Sequence, residues 1–322
     1  MLRRGLRLFA LGTAYLFVGF LLPFVLLRLV AHDQLWPAIV VNTLTPYVYL
    51  PAFPALGIAA AYRHRVLSVL AGVVAIAHLA WTLGPYARVE HPAVPPTKPL
   101  RLFSTNVMAW QTSTKGIVDE ILASDADVVA VQELSPIWAD AFAAPAFQAK
   151  YPYRIERVRT DAAGSGIYAR SPLGDPDVLE TPSMPVARAT IDVDGRQVRL
   201  YSVHVLPPSQ AAWVGEWNRG LSAIQEAAQR EPLPVILAGD FNATQHSSWY
   251  SRFRGAGWRS SHDACGRPLA TSWPNGVLPI PPIRLDHVFL SRELACVSIG
   301  EGIGEGSDHR PVIVALHLRA SS

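Results

Sequence analysis

The sequence predicts a membrane-anchored α/β protein, with three apolar helices followed by a soluble segment in which strands and helices alternate. Three observations predict it. Leu8 to Leu27, Gln34 to Tyr62 and Val66 to Ala87 hold no charged residue over 20, 29 and 22 positions, each enough to cross a hydrocarbon core of about 30 Å. From Leu100 onward, apolar runs of strand length recur between polar stretches with helical periodicity. Several of those runs stop at an acid, an amide or an imidazole.

Half of the 322 residues are hydrophobic, which fits one domain plus a membrane part. The three uncharged runs read as transmembrane helices. The middle run carries Pro37, Pro46, Pro51 and Pro54, so it reads either as a kinked span or as a re-entrant pair. No small-residue cleavage site follows the first run, which separates it from a signal peptide. Asn42 and His78 lie inside apolar runs and are expected to make interhelical hydrogen bonds.

Basic residues set the orientation. Arg3, Arg4 and Arg7 precede the first helix, and Arg63 and Arg65 separate the second from the third, placing both segments on the cytoplasmic side. The cell membrane is thus the expected location, with several passes and the soluble domain extracytoplasmic. Arg28, at the far end of the first helix, is expected to snorkel to the interface.

Residues 1–87 therefore form a membrane domain, 88–98 a linker and 99–319 a soluble domain. The linker is proline-rich and extended; at about 3.1 Å per residue it reaches at most roughly 35 Å. Residues 1–96 carry 7 Lys+Arg and 2 Asp+Glu, hence +5, and residues 97–322 carry 21 and 23, hence −2. A mildly acidic soluble part disfavours nucleic acid as the partner, short of a local patch such as Arg154, Arg157 and Arg159. Cys265 and Cys296 are the two cysteines, and their spacing leaves a disulfide and two buried thiols both open.

Along the soluble domain, LRLFSTNV is a strand ending at Asn106, and Thr114 to Ala123 is a helix with Thr114 as its cap. VVAVQEL follows Asp127 and ends in Glu133. Gly166 to Ala169 is a short strand. Ala187 to Val193 pairs with Gln197 to His204 across the Asp194-Gly195 turn. Ser209 to Arg230 is a helix capped by Ser209, with Trp213, Trp217, Leu221, Ile224 and Ala228 on its core face. Thr244 to Ile283 reads as loops. Arg284 to Leu290, Ala295 to Ile299 and Pro311 to Leu318 complete the strands.

Between that helix and those loops lies PVILAGDFN, Pro234 to Asn242, an apolar run read as a central strand buried on both faces. It delivers Asp240 and Asn242, which serve either a local turn or a working site. Polar residues likewise close or adjoin other strands at Asn106, Glu133, His204, Asp286, Asp308 and His309. Hard oxygens from Glu133, Asp308 and Asn106 suit magnesium, with manganese as an alternative. No Cys/His cluster of zinc spacing and no Walker-type glycine loop is present.

The ordered set STNV (104–107), QE (132–133), SVH (202–204), GDFN (239–242), LDH (285–287) and SDHRP (307–311) resembles the endonuclease/exonuclease/phosphatase family. The resemblance spans about residues 99–319. It implies a four-layer α/β sandwich, two packed β-sheets flanked by helices. It also implies that Glu133, Asn106 and Asp308 hold the metal and that Asp240 orients or deprotonates the attacking water. Asn242, His204 and His309 would then face the phosphate, and Asp286 would hold the ring of His309. His287 alternates to the opposite face of its strand and is expected to be structural.

The expected function is a membrane-anchored, metal-dependent phosphoesterase acting on a phosphodiester or phosphomonoester, with a lipid or headgroup phosphate favoured. A nuclease on DNA or RNA is the enzymatic alternative. A membrane-anchored binding domain without catalysis is a third reading, whose mark would be a missing site residue. No protein partner is inferred.

Overall fold

The computed structural model describes residues 2–30, 32–276 and 279–319; the part of the expected Thr244 to Ile283 loop region at 277–278 lies outside them. The chain divides into two compact units, one of Met1–Ala87 with His246–Ser248, the other of Arg88–Gln245 with Trp249–Ser322.

In the first unit, α1 (Leu2–Val30) buries Leu11, Ala14, Val18, Leu21 and Val25, spaced at three and four residues along one face. The second apolar run breaks into α2 (Trp36–Thr43), α3 (Thr45–Val48) and α4 (Ala52–Ala61), with a 74° bend at the break. Pro37 and Pro46 sit in the first turns of α2 and α3, where the missing N–H costs nothing but the preceding helix must stop. α5 (Arg65–Leu83) completes the unit. Among the described residues, two helices are thus long and apolar enough to cross a membrane, or three if the bent pair counts as one span.

Arg28 does not snorkel outward. It is buried, donates to Thr45 Oγ1 at 2.6 Å and lies over the Trp81 ring at 4.3 Å. The broken second run supplies these partners: Asn42, at the end of α2, also offers Arg28 its Oδ1 and donates to Asp33 Oδ1 at 2.6 Å.

The second unit holds twelve strands among the described residues: β1 (Leu100–Asn106), β2 (Val128–Gln132), β3 (Tyr153–Arg157), β4 (Ser165–Ala169), β5 (Gly174–Leu179), β6 (Val186–Val193), β7 (Arg196–His204), β8 (Val235–Asp240), β9 (Arg259–Ser260), β10 (Asp286–Leu290), β11 (Leu294–Glu301) and β12 (Val312–Leu318). They form two six-stranded sheets, ordered β11-β12-β1-β2-β4-β3 and β5-β6-β7-β8-β10-β9. Each sheet contains one parallel pair, β1 with β2 and β7 with β8.

Leu102, Val128, Ala130 and Ile167 from one sheet meet Leu200, Ile236, Ala238 and Val288 from the other in a shared core. The outer face of the first sheet, Phe103, Val129, Val131 and Tyr168, is covered by α6 (Lys115–Ala123), α7 (Pro136–Phe142) and α8 (Pro145–Lys150) through Ile117, Trp138 and Phe147. α9 (Val214–Gln229), α10 (Ser248–Gly255) and α11 (Ser261–Ala264) belong to the second half. Two packed mixed sheets flanked by helices make the α/β sandwich expected from the sequence.

Three local expectations change. α9 begins at Val214 after a 3₁₀ turn, so Ser209 does not cap it, and Trp213 is partly exposed where Trp217 is buried. Thr114 precedes α6 but makes no side-chain capping bond. The region from Thr244 to Ile283, expected as loops, carries α10, β9 (Arg259–Ser260) and α11. Along the linker, Arg88 pairs with Asp263 at 3.0 Å, Glu90 accepts from Arg259 at 2.6 Å and also from Arg319, and Lys98 pairs with Asp125 at 3.2 Å. Cys265 and Cys296 are disulfide-bonded, their Cα atoms 5.9 Å apart.

Candidate active site

Sheet register assembles the site before any side chain is considered. In the second sheet, Asp240 at the end of β8 is paired with His204 of β7 on one side and Asp286 of β10 on the other. In the first sheet, Asn106 of β1 is paired with Gln132, so Glu133 leaves β2 beside it. Parallel pairing is what brings two strand ends, rather than an end and a beginning, to one rim.

Backbone geometry is specialised here. Gly239 has φ +142°, and a Cβ on it would lie 2.0 Å from the Val203 carbonyl oxygen, so only glycine fits between β8 and β7. Glu133 and Asn242 both hold positive φ, 61° and 47°, a conformation that non-glycine residues keep only where the surroundings enforce it.

Asn106 joins the two sheets: its Nδ2 donates to Glu133 Oε1 at 3.0 Å and to Asp240 Oδ2 at 3.1 Å. Glu133 Oε2 accepts from the Ala109 amide at 2.8 Å. Asp240 Oδ1 accepts from the Asn242 backbone amide at 2.9 Å, and Asn242 Nδ2 donates to the Val205 carbonyl at 2.8 Å. Nε2 of His204 and Nε2 of His309 each lie 3.7 Å from Asp240 Oδ2. His204 Nδ1 lies 3.0 Å from the Ala162 carbonyl, which can only accept, so Nδ1 carries the hydrogen.

His309 Nδ1 is 2.8 Å from Asp286 Oδ2. Its backbone amide donates to Ser307 Oγ at 3.0 Å, and that hydroxyl donates to the Asn106 carbonyl at 2.7 Å. Asp308 faces a different partner, with Oδ2 accepting from the Trp273 indole at 3.1 Å. His287 is fully buried against Phe241, Tyr250 and Phe289, with Nε2 2.7 Å from the Ala243 carbonyl, as expected of a structural ring. Burial pushes its pKa well below the ordinary histidine value.

Electrostatics divide the two central groups. Burial pushes the Asp240 carboxyl up to about 6, with Asp286 adding to the rise and the His309 and His204 charges opposing it. Burial disfavours a charge on His309, but Asp286 and Asp240 outweigh it and raise the imidazole to about 10. At neutral pH the site therefore holds an imidazolium against a carboxylate that can still exchange its proton.

The donor set fits a hard divalent cation. Asp240, Asp286 and His309 each present a ligand-type atom within 4.8 Å of the others, and Glu133 is bound to the same cluster through Asn106. The carboxylates of Asp240, Asp286 and Glu133 against the single imidazolium of His309 make a hard, oxygen-rich donor set of the kind a divalent cation takes. The cluster with these distances differs from the expected ligand set of Glu133, Asn106 and Asp308, and the Asp286–His309 bond accounts for part of it without an ion.

Sequence reasoning missed the supporting groups. Ser272 Oγ accepts from the amides of Leu285 and Asp286 at 3.1 Å each, and Trp273 bonds Asp308. Both lie in a stretch without periodicity, and the Ala162 carbonyl is a backbone atom with no sequence signal. The suggested basic patch is not bare: Arg154 pairs with Glu156, Arg157 with Glu180 and Arg159 with Asp161.

The Endonuclease/Exonuclease/phosphatase family model matches residues 100–309. No curated protein matches the sequence. Among solved structures, an endonuclease/exonuclease/phosphatase from Beutenbergia cavernae is similar at 18% identity and TM-score 0.55, over 70% of this chain and 72% of that one. D. rerio TDP2 complexed with a single strand DNA product is similar at 18% identity and TM-score 0.58, over 69% and 100%. The human Nocturnin catalytic domain is similar at 19% identity and TM-score 0.54, over 73% and 98%. These likenesses share the sandwich, and the family model covers the strand ends from Asn106 to His309; the chain belongs to the endonuclease/exonuclease/phosphatase family and is a phosphoric ester hydrolase of that type.

Proposed function

We propose that the protein is a membrane-anchored, divalent-metal-dependent phosphoesterase that hydrolyses a phosphodiester or phosphomonoester by in-line attack of water, with a lipid or headgroup phosphate as the favoured substrate. The observation that carries this reading is Asp240 Oδ2 standing 3.7 Å from Nε2 of both His204 and His309. Asp240 is the group that orients the water and takes its proton; burial keeps its pKa near the working range of a general base. His309 presents Nε2–H to a phosphoryl oxygen while Asp286 fixes its ring and tautomer. His204 and Asn242 would stand beside the phosphoryl oxygens, where the Nε2–H of His309 is the preset donor for developing charge.

Glu133, Asn106 and Asp308 would hold magnesium, with manganese as an alternative, and the ion would neutralise phosphoryl charge as a Lewis acid. Its anchorage in the cell membrane, in several passes with the catalytic domain extracytoplasmic, rests on Arg3, Arg4, Arg7, Arg63 and Arg65. The Cys265–Cys296 disulfide supports an oxidising compartment.

A nuclease is the second reading, favoured by the TDP2 structure with its single strand DNA product. The acid-paired arginines and the −2 balance of residues 97–322 count against it. A domain without catalysis is disfavoured because no expected site residue is missing. Hydrolysis by the full chain of bis-p-nitrophenyl phosphate, sphingomyelin, phosphatidylinositol phosphates and single- and double-stranded DNA, with magnesium and with chelator, tests the reading. Turnover of a lipid ester that chelation abolishes is expected. Activity indifferent to chelation would reject the metal, and DNA cleavage alone would move the assignment to the nuclease.

A further inference from the structure

Three of the sequence motifs, STNV, QE and SVH, open with a residue that the site does not use: Ser104, Gln132 and Ser202. All three are buried. Alternation along β1, β2 and β7 turns them inward, between the two sheets, on the same face as Leu102, Val128 and Leu200 of the shared core. Ser165 of β4, paired with Gln132, joins them. They form a polar layer directly under the reacting groups: Gln132 precedes Glu133 and is paired with Asn106, and Ser202 lies one inward step before His204.

Four hydrogen bonds cross between the sheets in this layer. Gln132 Nε2 donates to Ser202 Oγ at 2.9 Å, and Ser202 Oγ donates to the Val131 carbonyl at 3.0 Å. Ser165 Oγ donates to the Ser202 carbonyl at 3.2 Å and accepts from the Ala187 amide at 3.1 Å. Ser202 has one hydroxyl hydrogen and the Val131 carbonyl can only accept it, so Gln132 must present its amide nitrogen there. Its Oε1 is left, like Ser104 Oγ, buried with no hydrogen-bond partner among the described residues. Apolar side chains would fill the layer without that penalty, as they do one inward step below at Ala130, Ile167 and Leu200. Stability given up directly under the reacting groups points to positioning.

We propose that Gln132 is a positioning residue: its bond to Ser202 clamps the sheet that carries Asn106 and Glu133 against the sheet that carries His204 and Asp240. Apolar contacts tolerate a small slide of one sheet over the other, whereas a buried hydrogen bond is directional and resists it. Asn106 spans the acids at the rim, and the Gln132–Ser202 pair fixes the two sheets from which they project. The inference rests on the phosphoesterase reading above and adds to it a residue that acts only through its neighbours.

Gln132→Met keeps the length of the side chain and removes the donor; Ser202→Ala removes the acceptor. In the full chain, with bis-p-nitrophenyl phosphate and magnesium, each is expected to lower kcat about tenfold or more while KM changes less than about twofold, as small misplacement of reacting groups does. The melting temperature of Gln132→Met should be held or raised, because Ser202 keeps its bond to Val131. The double variant is expected to lose no more than the worse single one, since both remove the same bond. Val128→Ala, in the shared core, is the reverse control, with a lower melting temperature and unchanged kcat well below it. Unchanged kcat in Gln132→Met, additive losses in the double variant, or kcat that merely follows melting temperature across the series overturns the proposal. Absence of chelator-sensitive turnover in the unsubstituted chain would remove the phosphoesterase reading itself, whereas normal turnover there and in Gln132→Met removes only the clamp.

Discussion

Asn106 and Asp240, 134 residues apart and on different sheets, are joined by one amide-to-carboxylate hydrogen bond of 3.1 Å. The same amide holds Glu133, so a single side chain sets the spacing between the acid assigned to the metal and the acid assigned to the water. Asn106→Ala is expected to lower kcat/KM by about 10- to 100-fold and to weaken the dependence on magnesium concentration, as loss of a group that orients metal-site ligands does. Thermal melting with and without magnesium separates this from unfolding.

Asp240→Asn and His309→Ala are each expected to lower kcat at least about a hundredfold with the fold retained. Circular dichroism checks the fold. Near-normal turnover in either variant removes that residue's role.

The pH profile should be bell-shaped. Asp240 accepts a proton only when ionised, so activity rises with pH through about 6, and His309 donates only when charged, so activity falls as pH passes about 10. Asp286 is a leading cause of the high His309 value, and Asp286→Asn is expected to move the alkaline limb to lower pH. A bound cation favours the Asp240 carboxylate, so raising magnesium should move the acid limb downward.

Glu120 on α6 accepts from the Ile303 and Gly304 amides at 2.7 and 2.8 Å, and Asn275 donates to the Ile303, Gly304 and Ser307 carbonyls. Together they hold the loop that presents Asp308 and His309. Glu120→Ala is expected to cost about 1 kcal/mol of stability, because water replaces the carboxylate at the exposed Ile303 amide, and to lower kcat more than it raises KM. Denaturant titration and steady-state kinetics check the two parts.

Gly239→Ala should fail to give a folded catalytic domain, because the added Cβ meets the Val203 carbonyl at 2.0 Å and the backbone holds φ +142°. Protease resistance of the expressed chain reads the outcome.

Strand ends were legible in the sequence because Asn106, Glu133, His204 and Asp240 each follow an apolar run closely enough for the run to predict where they emerge. The Asp194-Gly195 turn was legible for a related reason: both residues take positive φ, 52° and 79°, which few dipeptides tolerate. Arg28 was misread because its partners Asn42 and Thr45 reach it only through a bend that proline content suggests but does not aim. Ser209 was misread as a cap because the pattern of α9 is periodic before its backbone is helical. β3 and β5 carry exposed or half-buried residues at most positions and so had no apolar run to announce them.

β12 lies between β11 and β1, in the interior of the first sheet. During synthesis β1 emerges some two hundred residues ahead of this neighbour and must wait with one edge unpaired. His309 comes off the ribosome just before β12, so the reaction centre and the closing of the sheet are completed together. A chain interrupted before that point would be both inert and prone to clump, and quality control would meet a sticky, exposed edge rather than a half-working hydrolase.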